Sequence, residues 1–417
     1  MGKEKLSAAY HRMLDDPFPS NFELSFVESN VRQTLFYEKV QWVIEGEKKG
    51  LRYGENPDQP AALYRLINGN IVLGEVSTIN PGRYLASDIE LLQSGKHPGK
   101  INITDVDSAL NFLRYLDDTP CTAIIKHNNP CGVSKAETLA ESYIEALMAD
   151  RIAAFGGAVA VNREMDRETA SLIAESYVEV VSAPEYAEGA VDVLTKRKNL
   201  RVMKIGNMAK LKQFRGAQVI DFKSLVDGGM ILQWSYVPKA TTKESFYLAE
   251  TVHSGKTHKI RREPSAAEYE DIVFGWIVES GVTSNSVIYV KDGTTVGIGT
   301  GEQDRVGVAE IAKFKAYRNL SDRLCWAEYK IPWTQLSNDE QRKEIRQEVE
   351  KIHGGLRGSV MISDAFFPFR DGVDIGLEEG VSAVVQPGGS LRDYEIIEAC
   401  NERNATMVFT GQRSFRH

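Results

Sequence analysis

The chain has 417 residues, 42% hydrophobic and 26% charged, which is ordinary for a globular protein and long enough for two or three domains. Its 58 acidic and 50 basic residues give a net charge of −8, so no broad attraction to nucleic acid or an anionic membrane is expected and any anionic ligand must be met by local cations. Four cysteines, Cys121, Cys131, Cys325 and Cys400, form no CxxC pair, and the start has no apolar signal-like run. The expectation is reduced thiols in a cytoplasmic protein. No window approaches the roughly 20 apolar residues that cross a bilayer. Gly2 in "MGKEKLSA" matches a myristoylation signal only loosely.

In chain order, residues 1–48 predict a charged, helical lead-in, with apolar positions at helical spacing around Phe36, Val40 and Val43. Residues 49–220 alternate strand and helix patterns: "CTAIIK" then "AETLAESYIEALMAD", "FGGAVAV" then "DRETASLIAESY", "VEVVSAP" then "YAEGAVDVLTKRKN", and "LRVMKI". Such alternation predicts βαβ units and a largely parallel sheet flanked by helices. Residues 221–262 are less periodic and read as a surface connector. The alternation resumes over 263–417, with "NSVIYVKDGTTVGIGT" as a hairpin turning at Asp292-Gly293 and "RVGVAEIAKFKAYRNL" as a helix. The fold expected is therefore two similar α/β units. The charged stretch near 317–347 stays open between a lid and an interface helix.

Chemistry concentrates in "TAIIKHNNPCGVSKAE", Thr122–Glu137. A β-branched run ends in Lys126-His127 and then in turn formers, which places the pair where a strand leaves its sheet. A histidine near its reference pKa can accept a proton at neutral pH, and a neighbouring lysine can stabilise a developing oxyanion. By dipeptide alone, the pair could equally be a solvated loop. Gly156 and Gly157 could let the backbone pass close to a ligand or merely relieve crowding at a strand start. "TVGIGTGEQDR" lacks both the GxGxxG and the phosphate-loop spacing, but Arg305 follows it at a helix start, where amides and a guanidinium suit a phosphate. "SDAFFPFRDG" groups Phe366, Phe367, Pro368 and Phe369 with Asp371, either as an apolar wall for a ring or as core phenylalanines. A zinc deaminase would carry His-x-Glu and Pro-Cys-x-x-Cys; after Cys131 no second cysteine follows at that spacing, and no metal is expected.

Taken in order, "LRYGENPDQ", "KHNNPCG", "AFGGAVAVNRE", "TSNSV", "GIGTGEQDR", "SDAFFPFRDGVD" and "TGQRSFRH" resemble the formyltransferase part of the bifunctional purine-biosynthesis family that carries AICAR transformylase and IMP cyclohydrolase. The resemblance spans Leu51 to His417. It implies two cytidine-deaminase-like α/β units without catalytic zinc, and an intertwined homodimer with active sites at the subunit interface. Only 50 residues precede the "LRYG" block, too few for the cyclohydrolase domain, so the expectation is a stand-alone transformylase with a separate IMP cyclohydrolase in the pathway.

Carried over block by block, the resemblance makes Lys126 and His127 the catalytic pair. It gives AICAR binding to Arg52, Tyr53, Gly156, Gly157, Glu179, Asn285, Arg305, Phe366 and Arg413, and folate contacts to Phe367, Pro368, Phe369 and Asp371. The co-substrate implied is 10-formyltetrahydrofolate. Two rivals stand beside this reading: formylation from formate and ATP, against which the missing phosphate loop counts, and a non-catalytic nucleotide-binding homologue, against which the presence of both Lys126 and His127 counts.

Overall fold

A computed structural model of the chain describes residues 13–74, 76–77 and 82–417. Gly2 and the first part of the expected helical lead-in lie outside the described residues. Two compact units form, each from discontinuous stretches: Met1–Leu110 with Ala158–Val237, and Asn111–Gly157 with Pro238–His417. The linear division into 49–220 and 263–417 is thus not how the chain packs. Residues 111–157 join the C-terminal half because strand Asn129–Lys135 pairs with strand Thr294–Gly299, and pairing follows buried faces rather than chain order.

In the first unit, residues 21–49 are strands, not helix. Asn21–Glu28 and Val31–Lys39 form an antiparallel hairpin joined by Ser29 and Asn30, both at positive φ (47° and 69°), as a two-residue type I′ turn requires. Tyr64–Gly69 extends this sheet. The spacing of Phe36, Val40 and Val43 mimics a helix, but "VRQTLFYEK" is rich in β-branched and aromatic residues, and packing on the partner strand settles the conformation. A second sheet holds Ala158–Val161, Val180–Ala183 and Arg201–Lys204 in parallel, with Glu90–Gln93 antiparallel at one side. All residues of the first two of these strands are buried, as expected when helices cover both faces. The expected connector contains a hairpin, Ile220–Ser224 with Met230–Trp234.

In the second unit the strand order is Tyr247–Leu248, Thr406–Phe409, Ala383–Gln386, Val360–Ser363, Val287–Lys291, Thr294–Gly299, Asn129–Lys135, Cys121–Lys126. Only Val360–Ser363 to Ala383–Gln386 and Ala383–Gln386 to Thr406–Phe409 are parallel steps. The sheet is mixed and here chiefly antiparallel, because His127–Asn128 and Asp292–Gly293 are two-residue positive-φ turns that reverse the chain without a helix. Helix Ala266–Glu279 starts with a reciprocal Ser265–Glu268 capping box, and helix Arg305–Tyr329 is capped by Asp304. Helices Arg305–Tyr329, Arg370–Glu378 and Asp393–Glu402 pack with the sheet around a core that includes Tyr289, Phe367, Val384 and Met407. The charged stretch near 317–347 continues helix Arg305–Tyr329 into helix Asp339–Lys351, and Cys325, Leu336, Ile345 and Val349 form a small core of their own. All four cysteines are buried and none is in a disulfide, and no helix among the described residues is long and apolar enough to cross a membrane.

Candidate active site

The Lys126-His127 pair sits at the tip of the hairpin formed by Cys121–Lys126 and Asn129–Lys135. Cys121 to Ile125 are fully buried, Lys126 is half-buried and His127 is exposed. Burying each large aliphatic side chain of this run contributes about 1.5–3 kcal/mol, so the strand is a fixed base and the pair is its accessible end. His127 and Asn128 both take positive φ (55° and 61°), a region in which His and Asn are enriched among non-glycine residues. The Lys126 Nζ donates to the Phe155 carbonyl at 2.8 Å. Gly156 follows at φ 79°, and a Cβ on Gly157 would come within 2.9 Å of the Ile125 carbonyl oxygen. The two glycines thus let this segment close onto the strand that ends in Lys126.

Asn129 ties the turn to the rest of the unit. Its Oδ1 accepts from the Thr283 amide at 2.9 Å and from Thr300 Oγ at 3.1 Å. Two residues beyond Thr283, Asn285 helps line a cavity of about 750 Å³ with Arg305, Phe366, Pro368, Gly388 and Arg413. That volume suits a small-molecule ligand. Four residues assigned to AICAR by resemblance, Asn285, Arg305, Phe366 and Arg413, converge here, with Pro368 from the folate group.

The two arginines differ in kind. Arg305 is 8% exposed and forms a buried ion pair with Asp364; its Nη1 also donates to the Ser286 carbonyl and Ser363 Oγ, both at 3.0 Å, and its Nη2 to Asn285 Oδ1 at 2.9 Å. Arg305 therefore braces the wall that carries Asn285, a more structural position than a phosphate donor on a helix start. Arg413 is exposed, with its guanidinium 4.7 Å from the Phe415 ring centroid and no ion pair among the described residues. The C-terminal segment is knitted in by Ser414, whose amide donates to the Asp364 carbonyl at 2.9 Å, and by Arg416, which reaches the carbonyls of Asn128 and Gly281.

The phenylalanine cluster divides. Phe366 is 41% exposed at the cavity, whereas Phe367 is fully buried in the core. Its amide is held by Gln386 Oε1 at 2.8 Å. Phe369 and Asp371 are exposed but lie outside the cavity lining; Arg392 stacks on Phe369 at 5.0 Å, and Asp371 Oδ1 accepts from the Gly372 amide at 2.8 Å in the first turn of helix Arg370–Glu378.

In the first unit, Arg52, Tyr53 and Glu179 belong to a second constellation. Arg52 is 8% exposed; it donates to the Lys96 carbonyl and to Tyr53 OH, both at 2.8 Å, and its guanidinium lies 4.5 Å from the Tyr53 ring centroid. Glu179 Oε2 accepts from Arg201 Nη1 at 3.2 Å and from Asn102 Nδ2 at 3.4 Å. Arg201 is nearly fully buried and also donates to the His97 carbonyl at 3.3 Å. Burial lowers the pKa of both Arg201 and His97, and Glu179 opposes the effect on Arg201. Arg201, Asn102 and His97 were not readable as site residues, because Arg201 heads the strand Arg201–Lys204 and meets Glu179 only in the fold. Asp364 and Asn129 had a weak signal, since both lie inside the motifs "SDAFFPFRDGVD" and "KHNNPCG".

Among the described residues no group of three or more His, Cys, Asp or Glu is arranged to hold a metal ion. Fold and site thus describe a mixed α/β protein in which a lysine–histidine turn is fixed to a cavity with aromatic and cationic walls. A family model described as the AICARFT/IMPCHase bienzyme matches residues 6–315. The bifunctional purine biosynthesis protein PurH of Persephonella marina is 36% identical over 405 residues, covering 93% of this chain and 66% of that protein. PurH of Caldicellulosiruptor bescii is 36% identical over 367 residues (88% and 59%), and PurH of Agrobacterium fabrum 36% over 394 (94% and 62%). The chain belongs to the AICARFT/IMPCHase bienzyme family, and it spans between 59% and 66% of the length of these relatives.

Proposed function

We propose that this chain transfers the formyl group of 10-formyltetrahydrofolate to the 5-amino group of AICAR, giving formyl-AICAR and tetrahydrofolate. The observation that carries the reading is the Lys126-His127 turn, tied through Asn129 to the segment on which Asn285 lines the cavity. Seven blocks of the sequence resemble the transformylase part of the family, and the proposal is confined to formyl transfer. A homodimer with sites at the subunit interface, in the cytoplasm, belongs to the same proposal.

The AICAR amine is conjugated with a carboxamide and is a weak nucleophile, so its proton must leave as it attacks. His127 accepts that proton, directly or through the carboxamide. The nitrogen attacks the formyl carbon, the carbonyl oxygen becomes an oxyanion in a tetrahedral intermediate, and Lys126 stabilises that charge or protonates N10 as the C–N10 bond breaks. Arg413 supplies an accessible guanidinium for the ribose 5-phosphate, Phe366 packs on the base, and Pro368 borders the folate. Arg52, Tyr53 and Glu179 are proposed nucleotide contacts, Glu179 through sugar hydroxyls. Holding two substrates in register supplies much of the remaining acceleration.

The test is a spectrophotometric assay of the purified chain with AICAR and 10-formyltetrahydrofolate, with the purine product identified by mass. Formyl-AICAR without IMP supports the proposal. Product only on addition of formate and ATP would overturn the donor assignment, and no product with either donor would overturn the activity.

A further inference from the structure

One buried carboxyl has no part in this mechanism. Glu279, the last residue of helix Ala266–Glu279, is fully buried; its Oε1 accepts from Ser286 Oγ at 2.8 Å, and its Oε2 has no hydrogen-bond partner among the described residues. Asp364 is also fully buried, pairs with Arg305 and accepts from Ser284 Oγ at 2.5 Å. Ser286 links Glu279 to that ion pair, its Oγ donating to Glu279 and its carbonyl accepting from Arg305, and the same guanidinium holds Asn285 at the cavity.

The groups facing Glu279 come from three elements: Ser286 leading into strand Val287–Lys291, Asp364 following strand Val360–Ser363, and Arg305 at the head of its helix. With both carboxyls ionised, the cluster would hold excess negative charge behind a cavity proposed for a nucleotide phosphate, in surroundings where charges act strongly. A buried oxygen without a donor is also a poor place for an anion. Burial and then the Asp364 charge push the Glu279 carboxyl well above its ordinary value, with Ser286 and Arg305 only partly opposing them.

We infer that Glu279 is a positioning residue that works through an uncharged carboxyl, leaving Arg305 paired one-to-one with Asp364 and aimed at Asn285, so that the cavity accepts an anionic nucleotide. The inference rests on the reading of this cavity as the AICAR site. Folding raises the Glu279 pKa, so the folded chain retains a proton that the unfolded chain releases. The associated stability is full below the unfolded carboxyl pKa of about 4.3 and is lost as pH rises through the folded value.

Glu279→Gln is nearly isosteric and permanently neutral, and Glu279→Ala removes the group; AICAR affinity is measured by calorimetry at pH 7, and denaturation midpoints are followed from acid to alkaline pH. The expected result is that Gln keeps the dissociation constant within about twofold, while Ala weakens it about fivefold, the loss expected from one unmade hydrogen bond. As pH rises, the midpoint of the wild type should fall relative to that of Glu279→Gln. Equal weakening by Gln and Ala, or a midpoint difference that does not move with pH, would overturn the inference. Failure of the wild type to bind AICAR would instead overturn the functional reading of the cavity, and the midpoint comparison would still decide the state of Glu279.

Discussion

The Lys126-His127 turn and the Arg52–Glu179–Arg201 constellation both gather charged groups, yet they are built in opposite ways. The turn leaves His127 exposed, with Lys126 anchored to a backbone carbonyl. In the first unit Arg52 and Arg201 are buried, and Glu179 is held by both Arg201 and Asn102. A group that exchanges a proton with substrate must be reached by it, which exposure allows. A group that holds fixed charge on a ligand works best when its geometry is set beforehand, and that requires buried partners. The same contrast separates Arg413 from Arg305 within one cavity.

Substitutions sharpen the contrast, beginning with the largest effect. Arg305→Met leaves Asp364 buried without its cation and should cost about 3–5 kcal/mol of stability, read from the denaturant midpoint. A midpoint unchanged from wild type would show that Arg305 is no brace. Arg413→Ala should leave the midpoint alone and raise the KM for AICAR about tenfold or more, the loss of a charge-assisted hydrogen bond worth about 1.5–3 kcal/mol. Loss of stability without a change in KM would reverse the roles given to the two arginines. Glu179→Gln weakens the ion pair with Arg201 and should raise the KM for AICAR by a few-fold with kcat nearly unchanged, whereas an equal fall in kcat would place Glu179 in the chemical step. In the turn backbone, Asn128→Ala should cost about 1–2 kcal/mol because φ is positive there, and Asn128→Gly should be nearly neutral. Equal stabilities of the two variants would argue against the type I′ turn.

Where local pattern and burial agree, the amino-acid sequence is a sufficient guide. The run from Cys121 to Ile125 is β-branched or small, fully buried, and ends at turn formers, so the lysine–histidine tip is legible from residue order alone. Asp292-Gly293 is likewise a turn wherever it occurs between alternating strands. Residues 21–49 mislead because three apolar positions happen to fit a helical period, although Ser29-Asn30 marks a two-residue hairpin. Phe366 and Phe367 are adjacent and chemically identical, but Phe366 lines the cavity and Phe367 is buried in the core, a division that only the packed fold reveals. The membership of residues 111–157 in the C-terminal unit, and the meeting of Glu179 with Arg201, depend on long-range pairing that no local window contains.

The most direct test of the account is a single-turnover measurement of formyl-AICAR formation by His127→Ala with both substrates prebound, alongside AICAR affinity for the same variant. The account predicts a rate lower by about 10²–10⁴-fold, the usual share of a general base, with AICAR affinity within a few-fold of wild type. A near-normal rate in a variant that still binds AICAR would contradict it, because the proposed mechanism gives that proton to His127 alone.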